Sequence, residues 1–231
     1  MKRLLLLAAL VACSKSSPAP APAPVTPARP DAPVAQIATT GTVVEKTFAS
    51  TALGVDKRVV VYLPGGYETS GKRYPVFYYL HGLGGDESNW IDGGKLDQTA
   101  DALGLEAIIV MPDGDDGFYA DAAKQVDYDA CMKTGAGLFF PQRKKAETCV
   151  RASKYETYIT KDLVGWVDTT YRTIATREGR AIAGLSMGGF GALQLAMRHP
   201  DLFVAAASHS GVDSLLYGGP IPYEKGKVVI V

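Results

Sequence analysis

Arg180-Ala181-Ile182-Ala183-Gly184-Leu185-Ser186-Met187-Gly188-Gly189-Phe190-Gly191 is the stretch that decides the fold. An apolar run over 181–185 suits a strand buried on both faces of a parallel sheet. A G-x-S-x-G turn follows, and then a helical pattern through Leu193 and Met197 that ends at His199, because a residue before proline is pushed out of the α region. A sharp strand-to-helix turn needs small flanks, since a side chain at Gly184 or Gly188 would collide with neighbouring backbone. Such a turn lifts the serine oxygen over the top of the sheet. The helix then begins beside the nucleophile, and its free N–H groups favour a developing oxyanion. An isolated motif of this kind also fits a plain strand–helix turn with a capping serine.

Outward from this segment, strand-length apolar runs alternate with longer mixed segments. Residues 42–49 and 58–63 read as early antiparallel neighbours joined by a short connection containing Gly54, and 76–80, 107–111 and 203–208 read as further buried strands. Trp90, Leu96, Ala100 and Leu103 can share one helical face before Gly104, and Leu163, Val167, Tyr171 and Ile174 repeat at helical spacing. Strands alternating with helices predict an α/β domain with a doubly wound, mostly parallel sheet, and no internal repeat is present.

A second glycine-bearing loop, Tyr79-Leu80-His81-Gly82-Leu83-Gly84-Gly85-Asp86, follows the 76–80 strand and carries glycines where a backbone N–H must face substrate. Four segments in order, Leu80–Trp90, Met111-Pro112-Asp113-Gly114, Tyr155–Ile159 and Gly184–Gly189, resemble the esterase D family of α/β hydrolases. That group holds S-formylglutathione hydrolases, feruloyl and acetylxylan esterases, enterochelin esterases and mycolyltransferases. The resemblance covers residues from 42 onward. It implies an α/β-hydrolase fold, Ser186 as acyl-accepting nucleophile, the N–H groups of Leu83 and Met187 as oxyanion hole, and no cofactor.

The chain departs from the family's Ser, acid, His order. Only 45 residues follow Ser186, and they hold His199, His209, Asp201 and Asp213. His199 and Asp201 come after a helix of a dozen residues, which puts them roughly 18 Å from the serine at the wrong end of the sheet. His209 ends the strand expected beside the elbow and is a makeshift base or a packing residue; Asp213 is at the same end. His81 is read as shaping the oxyanion loop. The expectation is that the sequence lacks the C-terminal part of its hydrolase domain, where the acid and base would lie.

The N-terminus has a different character. Met1-Lys2-Arg3 precedes the nine apolar residues of 4–12, too short a run to span a bilayer and suited to a secretory signal. The run ends in Leu10-Val11-Ala12-Cys13, which resembles the lipobox of bacterial lipoproteins and implies lipidation of Cys13; an ordinary cleaved signal is the alternative. Seven of the fourteen prolines lie between Pro18 and Pro33, a semi-rigid spacer whose twenty or so residues reach roughly 60 Å. The domain reading is therefore a signal peptide at 1–12, a lipidated tether at 13–38 and a hydrolase domain at 39–231, held at the periplasmic or extracellular face of a bacterial cell envelope.

Cys131 and Cys149 remain, bracketing an insertion. They are read as a disulfide, with free thiols as the alternative. No Cys/His spacing suggests a metal, and Asp113-Gly114-Asp115-Asp116-Gly117 lacks the glutamate that a calcium loop needs at position twelve. Tyr119, Tyr155 and Tyr158 line an acyl or sugar pocket or belong to the core. With 24 basic and 24 acidic residues among 231 and no basic block, nothing points to nucleic acid, and 47% hydrophobic residues exclude a disordered chain. The expected partner is a small-molecule or glycan-linked ester, with the membrane engaged through the anchor; oligomeric state is not legible. Two functions follow. One is a serine esterase, or an acyltransferase, working through an acyl-enzyme on Ser186. The other is a catalytically dead hydrolase fold acting as an envelope binding lipoprotein.

Overall fold

The computed structural model describes residues 40–138 and 140–211. Six strands form one sheet: β1 (Thr42–Ser50), β2 (Val55–Leu63), β3 (Val76–Leu80), β4 (Ile108–Pro112), β5 (Arg180–Leu185) and β6 (Ala205–His209), in the order β1-β2-β4-β3-β5-β6. β1 pairs antiparallel with β2, and β2 antiparallel with β4. β4, β3, β5 and β6 run parallel. The expected hairpin is thus present, turning at Gly54 with φ 70°, and the parallel block is the core of the sheet.

Alternation along the strands sorts the side chains onto two faces. Val59 and Val61, Val76, Tyr78 and Leu80, and Ile108 and Val110 pack into the larger core with Ile182 and Leu195. Val60 and Tyr62, and Ile109 and Met111, pack on the other face, where Phe77, Tyr79 and Trp90 lie against them. Both faces of the central strands are covered, as their continuous apolar runs required, whereas β6, expected to be buried, is exposed along Ala205–His209.

Two details differ from expectation. The segment from Trp90 to Leu103 is two helices, Asn89–Asp92 and Leu96–Ala102, because Gly93, Gly94 and Lys95 (φ 50°) intervene; Ala100 is buried but Leu103 is 69% exposed. The stretch holding Leu163 and Val167 is α-helical over Tyr155–Thr157, π-helical over Tyr158–Leu163 and α-helical over Val164–Thr170. It ends there, since Tyr171 is extended (φ −120°, ψ 161°), so Ile174 lies beyond the helix and is exposed. Tyr119, Tyr155 and Tyr158 are buried core residues.

Cys131 and Cys149 form a disulfide with their Cα atoms 5.7 Å apart, closing the insertion over 131–149. Both cysteines are buried. For a closed loop of this size the chain-entropy effect is about 3 kcal/mol, so replacing both with alanine is expected to lower the unfolding free energy by about that amount in a denaturant titration.

Candidate active site

The β3–β5 pairing positions the site. β3 connects to β4 on one side of the sheet, while β5 lies on the other, so the strand order reverses between β3 and β5. Open α/β sheets bind ligands at the carboxyl ends of strands at such a point. Here Leu80 pairs with Gly184, and the two glycine-bearing loops singled out in the sequence leave the sheet side by side.

The elbow is as tight as its glycines imply. Ser186 has φ 52° and ψ −111°, a strained conformation for a residue with a side chain, of the kind that costs about 1–3 kcal/mol and clusters at functional sites. A Cβ at Gly184 would stand 2.3 Å from the backbone of Gly188, and one at Gly188 would stand 2.3 Å from the carbonyl oxygen of Leu80. Ser186 remains partly accessible, and the helix Met187–Arg198 starts directly after it with Met187 buried. Behind the elbow, the Ser186 N–H donates to the His209 carbonyl at 2.9 Å, fastening the turn to β6.

The second loop passes in front. A Cβ at Gly82 would be 3.5 Å from Ser186 Cβ, so backbone runs against Ser186 where a side chain would crowd it. His81 is buried, and its ring bridges two loops: Nε2 accepts from Gly114 N–H at 2.8 Å, which leaves the proton on Nδ1 to be donated to the Gly82 carbonyl, also at 2.8 Å. The Gly85 N–H donates to the same carbonyl at 3.0 Å. In a trans peptide the C=O and the following N–H point opposite ways, so fixing the Gly82 carbonyl fixes the Leu83 N–H. Among the described residues, the N–H groups of Leu83 and Met187 have no protein acceptor, as donors awaiting a charged oxygen would not. His81 therefore shapes the loop, in agreement with its sequence reading.

No histidine or carboxylate among the described residues hydrogen-bonds the Ser186 hydroxyl. The His209 ring lies against Trp90, with centroids 6.1 Å apart. His199 is bound to Glu156 at 2.8 Å, at the far end of the helix from Ser186. Asp201 is exposed there too, and Asp213 lies outside the described residues, as do Cys13 and residues 1–39.

Beneath the oxyanion loop lies a charged cluster that the sequence did not disclose. Lys57, fully buried on β2, reaches Asp115 at 2.7 Å and Asp113 at 3.2 Å. Tyr155 donates to Asp115 at 2.6 Å, and Tyr158 donates to the Asp113 carbonyl at 3.2 Å. Asp113 and Asp115 of the 113–117 loop thus turn inward onto a lysine. Burial would lower the Lys57 ammonium, but Asp115 and Asp113 outweigh it and hold it above its ordinary value. Burial would raise Asp113, but Lys57 outweighs it and holds that carboxyl far below the usual range. Burial, reinforced by Asp113, pushes Asp115 up.

Lys57→Met removes the cation and leaves two buried carboxylates, so it is expected to cost about 3–5 kcal/mol at neutral pH. A depressed Asp113 contributes stability above the ordinary carboxylate value, about 4, and loses it as pH falls. The raised Lys57 contributes stability below its ordinary 10.5 and loses it as pH rises through its elevated value. The gap between wild type and variant, read by denaturant unfolding, should therefore shrink toward acid pH, as the carboxylates left by Lys57 take up protons, and toward strongly alkaline pH, as Lys57 loses its own.

With this geometry established, the family model described as "Putative esterase" matches residues 50–218. An esterase of Mycobacterium tuberculosis is 37% identical over 171 residues, 73% of this chain and 32% of its own length. An endo-1,4-beta-xylanase/feruloyl esterase of Xylanibacter ruminicola is 32% identical over 184 residues, 78% of this chain and 22% of its own. The chain thus spans about a third or less of the curated relatives it matches. Among solved structures, a ferulic acid esterase superposes with a TM-score of 0.61 at 30% identity, covering 80% of this chain and 63% of that one. The α/β-hydrolase fold expected from the sequence is the fold found.

Proposed function

The chain belongs to the esterase family, and from that premise we propose that it is a serine esterase, lipid-anchored in a bacterial cell envelope, that cleaves esters through an acyl-enzyme on Ser186. The observation that carries the reading is the strained, partly accessible Ser186 with the backbone of Gly82 alongside it. Its hydroxyl oxygen attacks the ester carbonyl and loses its proton to a base outside the described residues. The tetrahedral oxyanion is held by the N–H groups of Leu83 and Met187, and the alcohol departs with a proton. Water then attacks the acyl-enzyme, releasing the acid and restoring Ser186. Preorganised donors of this kind contribute about 10²–10³ in rate each.

The full-length protein mixed with excess p-nitrophenyl acetate should release about one equivalent of p-nitrophenolate in a rapid phase before steady turnover, as acyl-enzyme accumulation requires. No release above the buffer rate would favour the alternative of a hydrolase fold retained for binding. The feruloyl and ferulic acid esterases among its relatives favour an ester with an aromatic acyl group as substrate. A panel of acetyl, feruloyl and thioester compounds, run with and without an acceptor alcohol, assigns the acyl group and separates hydrolysis from transfer.

The anchor is supported by the apolar run at 4–12 ending at Cys13 and by the proline-rich stretch behind it. No helix among the described residues is long and apolar enough to cross a membrane. In cells fed an alkyne-tagged fatty acid, the protein is expected to carry the tag and Cys13→Ala to lose it and leave the membrane fraction. An untagged wild-type protein would contradict the anchor.

A further inference from the structure

Beyond His81, the oxyanion loop is not held by its own side chains. Leu83, whose N–H matters, is 40% exposed, and its neighbours are glycines. The loop's backbone is gripped at three points, one from its own His81 and two from outside. His81 takes the Gly82 carbonyl, and Asp116, in the loop after β4, accepts from the Gly84 N–H at 2.8 Å. The third grip is the guanidinium of Arg143, which donates through Nη2 to the Gly85 carbonyl. Arg143 belongs to the disulfide-closed insertion, as does Phe140, whose ring lies where a Cβ at Gly84 would stand, 2.7 Å away.

The other face of the same guanidinium looks into the charged cluster. Its Nη1 is 3.8 Å from Asp113 Oδ1 and 3.9 Å from Asp115 Oδ1. Asp115 Oδ1 is buried without a hydrogen-bond partner, so Arg143 faces a carboxylate oxygen that Lys57 and Tyr155, both bonded to Oδ2, leave over. The side chain is only 17% exposed. A planar, permanently charged fork can face a carbonyl with one nitrogen and a carboxylate pair with another, which a lysine ammonium cannot.

We propose that Arg143 is a positioning residue for the oxyanion hole: presented by the Cys131–Cys149 insertion, it clamps the Gly85 carbonyl against the Asp113/Asp115 cluster and so sets the direction of the Leu83 N–H. The inference rests on the serine-esterase reading of Ser186. Misdirecting one oxyanion donor can cost no more than removing it, about 10²–10³-fold, so a partial loss is expected. Arg143→Ala should lower kcat for p-nitrophenyl acetate about 10- to 100-fold, with KM within a factor of two or three. The rate constant for fluorophosphonate labelling should fall in parallel, because phosphonylation builds the same charged oxygen. Arg143→Lys should recover part of the loss, and millimolar guanidinium should restore kcat in Arg143→Ala and leave wild type unchanged.

A circular dichroism melt of each variant keeps loss of fold apart from loss of positioning. If folded Arg143→Ala labels and turns over like wild type, the clamp is wrong while the esterase reading stands. Rate losses that track only the unfolded fraction, with no guanidinium rescue in either variant, also overturn the clamp. If wild type itself fails to label, the esterase reading fails and the clamp falls with it.

Discussion

Gly188→Ala is expected to cripple the proposed esterase activity without touching a reacting atom. The added Cβ would lie 2.3 Å from the Leu80 carbonyl oxygen and 2.6 Å from that of His81, both backbone atoms at the end of β3. Ordinary contacts need about 3.5 Å, so the elbow and the oxyanion loop must separate by about 1 Å. A displacement of that size at a reacting centre costs about 10²-fold, and overpacking a tight site costs about 1–3 kcal/mol. A drop in kcat of about 100-fold, with a melting temperature lowered by roughly 5 °C, is therefore predicted. Gly165→Ala is the control. A Cβ there meets nothing within 4 Å at an exposed position of the helix Val164–Thr170, so activity should be unchanged and stability should rise by about 0.5–1 kcal/mol. Wild-type kcat in Gly188→Ala would mean that the two loops need not stay pressed together.

Ser186→Ala carries the largest expected effect. Removing the hydroxyl removes the acyl acceptor, and what remains is the rate that oxyanion donors and binding supply without a nucleophile. The expected loss in kcat is about 10³-fold or more, with the rapid phase of p-nitrophenolate release abolished. Stability should hold or rise slightly, because the smaller side chain removes a polar group from a strained turn. Residual burst kinetics in Ser186→Ala would place the nucleophile elsewhere.

The fold was legible where a local pattern had one physical cause. Buried runs at 76–80 and 181–185 suited central strands, and Gly184 and Gly188 suited close backbone approaches; both are so in the structure. The sequence misjudged Leu103 and Ile174 because helical spacing does not show where a helix breaks. Gly93, Gly94 and Lys95 interrupt one helix, and the extended Tyr171 ends the other. His81 was legible as a loop-shaping residue, but its acceptor at Gly82 and donor at Gly114 depend on a contact between loops 33 residues apart. The Lys57–Asp113–Asp115 cluster was missed although a signal existed. Lys57 alternates with Val59 and Val61 and so had to face the core, where a lysine needs an anionic partner. Which of the chain's 24 acidic residues supply it is a long-range fact. Arg143 carried no such signal, since a basic residue in a polar insertion reads as solvated surface.

Peptide mass mapping of the full-length protein after fluorophosphonate treatment tests the central claim most directly. One adduct per molecule on the peptide carrying Ser186, absent after denaturation before treatment, is the predicted result. An unmodified Ser186 peptide, or an adduct on a different serine, would contradict it.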